Sequence, residues 1–281
     1  MTLQPTLLHV SAGRGAQQSI PLLVVWFEYK KVHGWWKGQG LMGDLDGRSV
    51  WFTLSAPTEP EMQSRSKLLR QGCAALFSNL SPKKSQWYSG FVVDLNQGKR
   101  VRVVPLDSTH QTYEKLRQAP LAADGEIRML LSCKGKERVD IRGVVLEAPT
   151  VSMAKGSKAQ VWLADTSGAA VIVELWGPSF LGLVRESVRC GVILEIRNAS
   201  VKVSDKGLVS LSGEFFGDSE KGHAFARVLP SSPETAALEA VRDTTCERIS
   251  ETWTPTHVRS ARMSSEGQLF VTSLKNDAAV Q

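Results

Sequence analysis

The stretch Val161–Gly177 reads VWLADTSGAAVIVELWG, and its pattern decides the fold class. Val161-Trp162-Leu163 is apolar and short, Asp165-Thr166-Ser167-Gly168 carries turn chemistry, and Ala170 to Trp176 alternates with period 2. Asp and Gly at such positions favour a tight reversal, so two strands joined as a hairpin are expected. If Val171, Val173 and Leu175 point inward, Ile172, Glu174 and Trp176 share the opposite face. Trp162 then also points outward, between Val161 and Leu163.

Ahead of this hairpin, Arg138 to Leu146 alternates Val139, Ile141, Gly143 and Val145 with Asp140 and Arg142, which predicts a strand. Gly177-Pro178 ends the hairpin, and Phe180 to Glu186 is a short helix or irregular crossing. Val188 to Val203 is a long strand, Ser204 to Gly207 a turn, and Leu208 to Ser212 a closing strand. Five strands with a long connection between the third and fourth is the order of a small Greek-key barrel, the OB-fold.

The first part repeats the logic. Leu22 to Tyr29 is a strand and Trp35 to Gly40 a Gly- and Trp-bearing loop. Leu41 to Asp44 and Ser49 to Leu54 form a hairpin around Leu45-Asp46-Gly47, and Pro57 to Leu69 is the long connection. Gly72 to Leu80 is the fourth strand, with Phe91 to Leu95 pairing with Arg100 to Val104 across Asn96-Gln97-Gly98. The chain is therefore expected to be all-β, with two tandem five-stranded Greek-key OB-fold barrels and a C-terminal helical extension. The expected divisions are an N-terminal tail over 1–20, a first barrel over 21–106, a linker over 107–125, a second barrel over 126–217 and an extension over 218–281. In the extension, Ser232-Pro233-Glu234 reads as a helix start, and Ala237, Leu238 and Val241 form an apolar stripe suited to core packing or to docking a protein partner.

Composition excludes several functions. The longest apolar run, Pro21 to Phe27, stops at Glu28, far short of the roughly 20 residues of a membrane-spanning helix. The first 27 residues show no cleavable signal-peptide pattern. Cys73, Cys133, Cys190 and Cys246 lie far apart, without a C-x-x-C or a His pair, as expected of reduced thiols and neither a disulfide framework nor a zinc site. No phosphate loop, nucleophile elbow or zincin motif is present, and the five histidines lack fixed-spacing partners. No enzyme, metal or cofactor is expected.

What remains is a binding surface. Residues 1–120 carry 15 Lys and Arg against 8 Asp and Glu, residues 121–230 carry 14 against 13, and residues 231–281 carry 5 against 7. The positive field thus sits on the N-terminal part, where a polyanion would bind. Five of the eight tryptophans lie in that same part. Trp35, Trp36 and Lys37 fall in the first interstrand loop, Trp51 points outward, Trp87 follows Lys83-Lys84, and Arg100 and Arg102 alternate on a strand. In the second block Arg142, Arg197, Lys202 and Lys206 are placed to meet phosphates, beside Trp162 and Trp176. An outward tryptophan either stacks on a base or is covered by a neighbouring element. Aromatics interleaved with cations suit a single strand, whose bases are free to stack.

The hairpin Val161–Gly177, with Asp165-Thr166-Ser167-Gly168 followed by Leu175-Trp176-Gly177, resembles the second DNA-binding barrel in the large subunit of replication protein A. Val139 to Gly143 fits its opening strand, and Val203-Ser204-Asp205, Gly207 and Leu208 to Ser212 fit its closing hairpin. The resemblance spans about residues 128–215 and implies that Trp176 matches a base-stacking aromatic. The family's second stacking aromatic falls at Lys206, so that platform is missing or supplied by Trp162 or Phe215. In the first block Leu54 stands where an aromatic is expected, and the family's Cys-rich zinc insertion is not found. The resemblance implies a diverged or shortened relative that binds single-stranded DNA in replication, repair, recombination or telomere maintenance. It would be nuclear (or, alternatively, mitochondrial), with protein partners through the C-terminal helix. The alternatives are a single-stranded RNA-binding subunit of an RNA-processing complex and an OB-fold scaffold.

Overall fold

The computed structural model of the protein describes residues 7, 19–96, 101–119, 126–153, 157–167, 169–205, 209–218, 223–233, 235–241, 258–263 and 269–273. The chain divides into two compact units, residues 1–122 and 123–281, each built on a curled or closed sheet.

In the first unit β1 (Ile20–Val32), β2 (Trp35–Gly43) and β3 (Ser49–Ala56) form an antiparallel meander. His33 and Gly34 join β1 to β2, with φ of 49° and 82°, the backbone that two-residue hairpin turns require. Trp35, Trp36 and Lys37 therefore lie on β2, not in a loop. The glycines that suggested a loop are windows for rings. A Cβ on Gly40 would lie 2.2 Å from the Phe52 ring, and one on Gly38 would lie 2.7 Å from Phe27. Without those Cβ atoms, Phe27 and Phe52 stack at 5.5 Å.

The long connection contains α1 (Glu59–Ser66), capped by Thr58 and started by a proline in its first turn. β4 (Ala74–Ser78) returns beside β1. β5 (Lys83–Lys84) pairs with β6 (Phe91–Asp94), which runs parallel to β3, while β7 (Arg102–Pro105) pairs with β4. The order is β5-β6-β3-β2-β1-β4-β7. The expected hairpin between 91–95 and 100–104 does not form. After β6 the chain stays fastened to β3, where the Leu95 amide donates to the Thr53 carbonyl and the Ser55 amide to Asn96 Oδ1. α2 (Gln111–Gln118) buries Leu116 and donates from the Tyr113 hydroxyl to the Gly72 carbonyl, which docks it on this unit.

In the second unit a 3-10 turn (Ile127–Ser132) precedes β8 (Arg138–Val145). Then follow β9 (Thr150–Ser152), β10 (Lys158–Ala164), β11 (Ala170–Trp176), α3 (Pro178–Ser187), β12 (Ile193–Val203) and β13 (Val209–Glu214). β8 pairs with β10, β10 with β11, β11 in parallel with β13, β13 with β12, and β12 again with β8. That closes a five-stranded barrel with OB-fold connectivity. The barrel strands and the long connection fall close to where the alternation places them, except that the fourth starts at Ile193, five residues later than expected, and the short β9 is an addition. Ile141, Val161, Leu163, Val171, Val173, Leu175, Ile196 and Leu211 fill the interior, and Phe180, Leu181 and Val184 of α3 pack into it.

Two further elements cover the outside of this barrel. β14 (Phe225–Leu229) adds to the free edge of β12. The helical turn over 236–241 lays Leu238 on Val144 and Ile193, and Val241 on Trp162. Those two members of the C-terminal apolar stripe are thus taken up by the chain's own barrel. β15 (Val258–Met263) and β16 (Leu269–Ser273) form a hairpin, with β15 close to β11. Among the described residues no helix is long and apolar enough to cross a membrane.

Candidate nucleic-acid interface

The outer side of the second barrel is a mostly polar sheet face of four strands, β10, β11, β13 and β12. Strand register puts its side chains in three rows. Lys158, Trp176 and Glu214 form one row, and Gln160, Glu174, Ser212 and Ser200 the next. Trp162, Ile172, Ser210 and Lys202 form the third.

The first row holds the aromatic platform. Trp176 is half-buried at the end of β11, and Lys158 Nζ lies 5.1 Å from the centre of its ring. An ammonium over an indole face is an electrostatic contact with the ring's negative quadrupole. Lys158 Nζ also donates to Glu174 Oε1 at 2.7 Å, and Gln160 Nε2 donates to the same oxygen at 3.0 Å. Burial works to raise the Glu174 carboxyl pKa. The hydrogen bonds from Lys158 and Gln160, with the charges of Lys158 and Lys202, outweigh it and hold the group below its ordinary value. Lys202 is exposed on β12 at the far side of the face.

Other residues expected to be open on this face are covered or lie elsewhere. Trp162 is 4% exposed and packs with Leu146, Ala164 and Val241. It points outward as the alternation requires, but the C-terminal helix covers it, so no base can reach its ring. Phe215, the other candidate for a second platform, sets its ring edge-on against Phe180 and packs against the core. Arg197 has 0% of its side chain exposed and binds Asp140 at 3.1 Å and Glu195 at 2.7 Å. Arg142 lies 3.5 Å from Glu195, and Arg227 reaches the other Glu195 oxygen at 2.8 Å. Burial lowers the Arg142 pKa, against the opposing pull of Glu195. A buried guanidinium stays where its carboxylates are, because an unpaired buried charge is costly. Arg197 is structural and Arg142 is largely so. Lys206 and Arg100 lie outside the described residues.

In the first unit Trp51 points outward from the sheet but is only 1% exposed. Trp26 meets it edge-on at 6.2 Å and Tyr88 leans over it at 5.4 Å. That part of the face is closed. The open part is the β1–β2 hairpin. Trp35 is 52% exposed, Trp36 sets its ring against Tyr29 at 5.7 Å, and Lys31 and Lys37 are exposed. Lys30 and Lys37 are direct cross-strand partners. Trp87 is 57% exposed in the β5–β6 turn, next to exposed Lys83 and Lys84, and Arg102 is exposed on edge strand β7.

No family model and no curated protein matches the chain. Solved structures with a similar fold include a replication protein A heterotrimer bound to single-stranded DNA, at TM-score 0.48 and 15% identity, over 83% of this chain and 53% of that one. They include fission yeast Pot1 with single-stranded DNA, at TM-score 0.34 and 11% identity, over 82% of this chain and 90% of that one. A murine DNA-binding protein bound with double-stranded DNA follows at TM-score 0.38 and 12% identity, over 76% of this chain and 100% of that one. Replication protein A, which the sequence resembles, is thus also among the structural neighbours. The likeness is one of fold, and the chain spans about half the length of the replication protein A chain it matches.

Lys158, Gln160 and Glu174 form a group that only the pairing of β10 with β11 brings together. The signal was available: counting back from the turn at Asp165 pairs Lys158 with Trp176 and Gln160 with Glu174.

Proposed function

We propose that the protein binds single-stranded nucleic acid, with DNA favoured over RNA, through the outer face of the closed barrel in its second unit and the basic hairpin of its first unit. The observation that carries the reading is Trp176, a half-buried indole beside Lys158, Gln160 and Glu174 on the outer face, its ring contacted by a lysine ammonium. A base can replace the Lys158 ammonium on that ring, which releases Lys158 to a phosphate. Stacking of this kind contributes about 1–3 kcal/mol per base. The excess of cations in residues 1–120 and the opposed Lys30 and Lys37 supply long-range attraction for the phosphate backbone. The role is binding and not chemistry, and it suits a nuclear factor in replication, repair, recombination or telomere maintenance. Fluorescence anisotropy with labelled oligo-dT, oligo-rU and a matched duplex tests this. The expected order is oligo-dT above oligo-rU, with the duplex weakest. Equal affinity for single strand and duplex, or no single-strand binding at low salt, overturns it.

A further inference from the structure

The outer face of the second barrel contains a feature that phosphate binding does not explain. Its centre is acidic. Glu174 lies two residues before Trp176 on β11, on the same face, a separation of about 6.8 Å along the strand. A carboxylate there repels a phosphate, so the backbone of a bound strand must pass to either side, toward Lys158 and Lys202. What remains over Glu174 is the edge of a base.

The group is built to meet such an edge in one orientation. Glu174 Oε1 already accepts from Lys158 and Gln160, whereas Oε2 has no hydrogen-bond partner among the described residues. The Glu174 side chain is 20% exposed, so the carboxylate is reachable from outside. Gln160 Nε2 uses one of its two N–H groups on Glu174, and the amide has a second. Side by side, the pair offers an acceptor, Glu174 Oε2, and a donor, the second Gln160 N–H.

We propose, on the basis of the binding role above, that Glu174 and Gln160 read the Watson–Crick edge of a base next to the one on Trp176, and select an amino-bearing base over a 4-keto pyrimidine. Cytosine presents an N4 amino donor beside the N3 acceptor, which complements that pair. Uracil and thymine present a carbonyl oxygen and an N–H in the same places, which sets a carbonyl against the carboxylate. A carboxylate accepting from cytosine N4 is an established form of base recognition.

Oligo-dC and oligo-dU of equal length test this with the full chain, because the two bases share ring size and stack alike on Trp176. The wild-type protein is expected to bind oligo-dC at least about fivefold more tightly. Glu174→Gln should bring the ratio toward one, chiefly by improving binding of oligo-dU. Gln160→Leu, which leaves the carboxylate in place, should also reduce the ratio and serves if Glu174→Gln is poorly folded. Equal binding of the two oligonucleotides by wild type, or a ratio unchanged in both variants, overturns base reading and leaves the binding role standing. Failure to bind either oligonucleotide overturns both.

Discussion

Asp44 in the curled sheet of the first unit and Asp165 in the closed barrel of the second sit at equivalent turns and perform the same task. Asp44 follows β2 and accepts from the amides of Asp46 and Arg48 in its own turn, while its second oxygen accepts from the Leu7 amide at 2.9 Å. Asp165 follows β10 and accepts from the Ser167 amide at 3.0 Å, while its second oxygen accepts from the Ile127 amide at 2.5 Å. In both, one carboxylate fixes the hairpin and ties down the segment that leads into the unit's sheet, 37 and 38 residues earlier. Asp44 and Asp165 are therefore fastenings, with the turn as only half of their work.

Removing that fastening should destabilise the barrel without touching its ligand face. Asp165→Ala leaves the Ile127 amide without its partner, and an orphaned buried donor costs about 1–3 kcal/mol. Chemical denaturation should show that loss while affinity for oligo-dT, measured on the folded protein, stays within error.

The two tryptophans of the central hairpin should separate cleanly. Trp176→Ala is expected to weaken single-strand binding by about 1–3 kcal/mol with little change in melting temperature. Trp162→Ala should do the reverse, with a loss near 3–5 kcal/mol of stability from the cavity under the C-terminal helix. Calorimetry and anisotropy on both variants check the pair.

Glu195 is the hub of the buried charges, contacted by Arg142, Arg197 and Arg227. Glu195→Gln removes the anion and leaves the cations facing one another, so destabilisation of roughly 3–5 kcal/mol is expected. Urea denaturation of the variant measures it, and a loss below about 1 kcal/mol would show the network to be loosely held.

Salt dependence should follow exposure, not sequence position. With Lys31 and Lys37 both changed to alanine, the slope of log affinity against log salt should fall by about 0.7 for each single-strand phosphate that is no longer neutralised. Arg197→Met should leave the slope unchanged, since Arg197 is fully buried. Titrations of oligo-dT at several salt concentrations decide both.

The Glu174 carboxyl titrates below its ordinary value of 4.5. A carboxyl whose pKa is depressed by folding adds stability above that ordinary value, and the contribution disappears as the pH falls through the folded value. The melting temperature of wild type should therefore decline more steeply below pH 4.5 than that of Glu174→Gln, and the two should run parallel above it. Parallel curves throughout would show that Lys158 and Gln160 add nothing to folding.

Apart from β9 and the start of β12, the strands of the second barrel, their turns and the alternation of sides along them are legible in the chain read residue by residue. They depend on a two-residue period and on Asp and Gly at the reversals, and both are local. For the same reason the alternation points Trp51, Trp162 and Trp176 outward. Which of them is open follows from elements far away in the chain. Val241 closes Trp162 from a helix more than seventy residues away, Tyr88 closes Trp51 from the β5–β6 turn, and Trp176 carries a lysine ammonium on its ring. The arginines divide likewise. Arg142 and Arg197 alternate on their strands as phosphate ligands would, yet β14 brings Arg227 alongside and Glu195 gathers all three. Direction along a strand follows from local backbone geometry, whereas burial depends on what packs against that face from elsewhere in the chain.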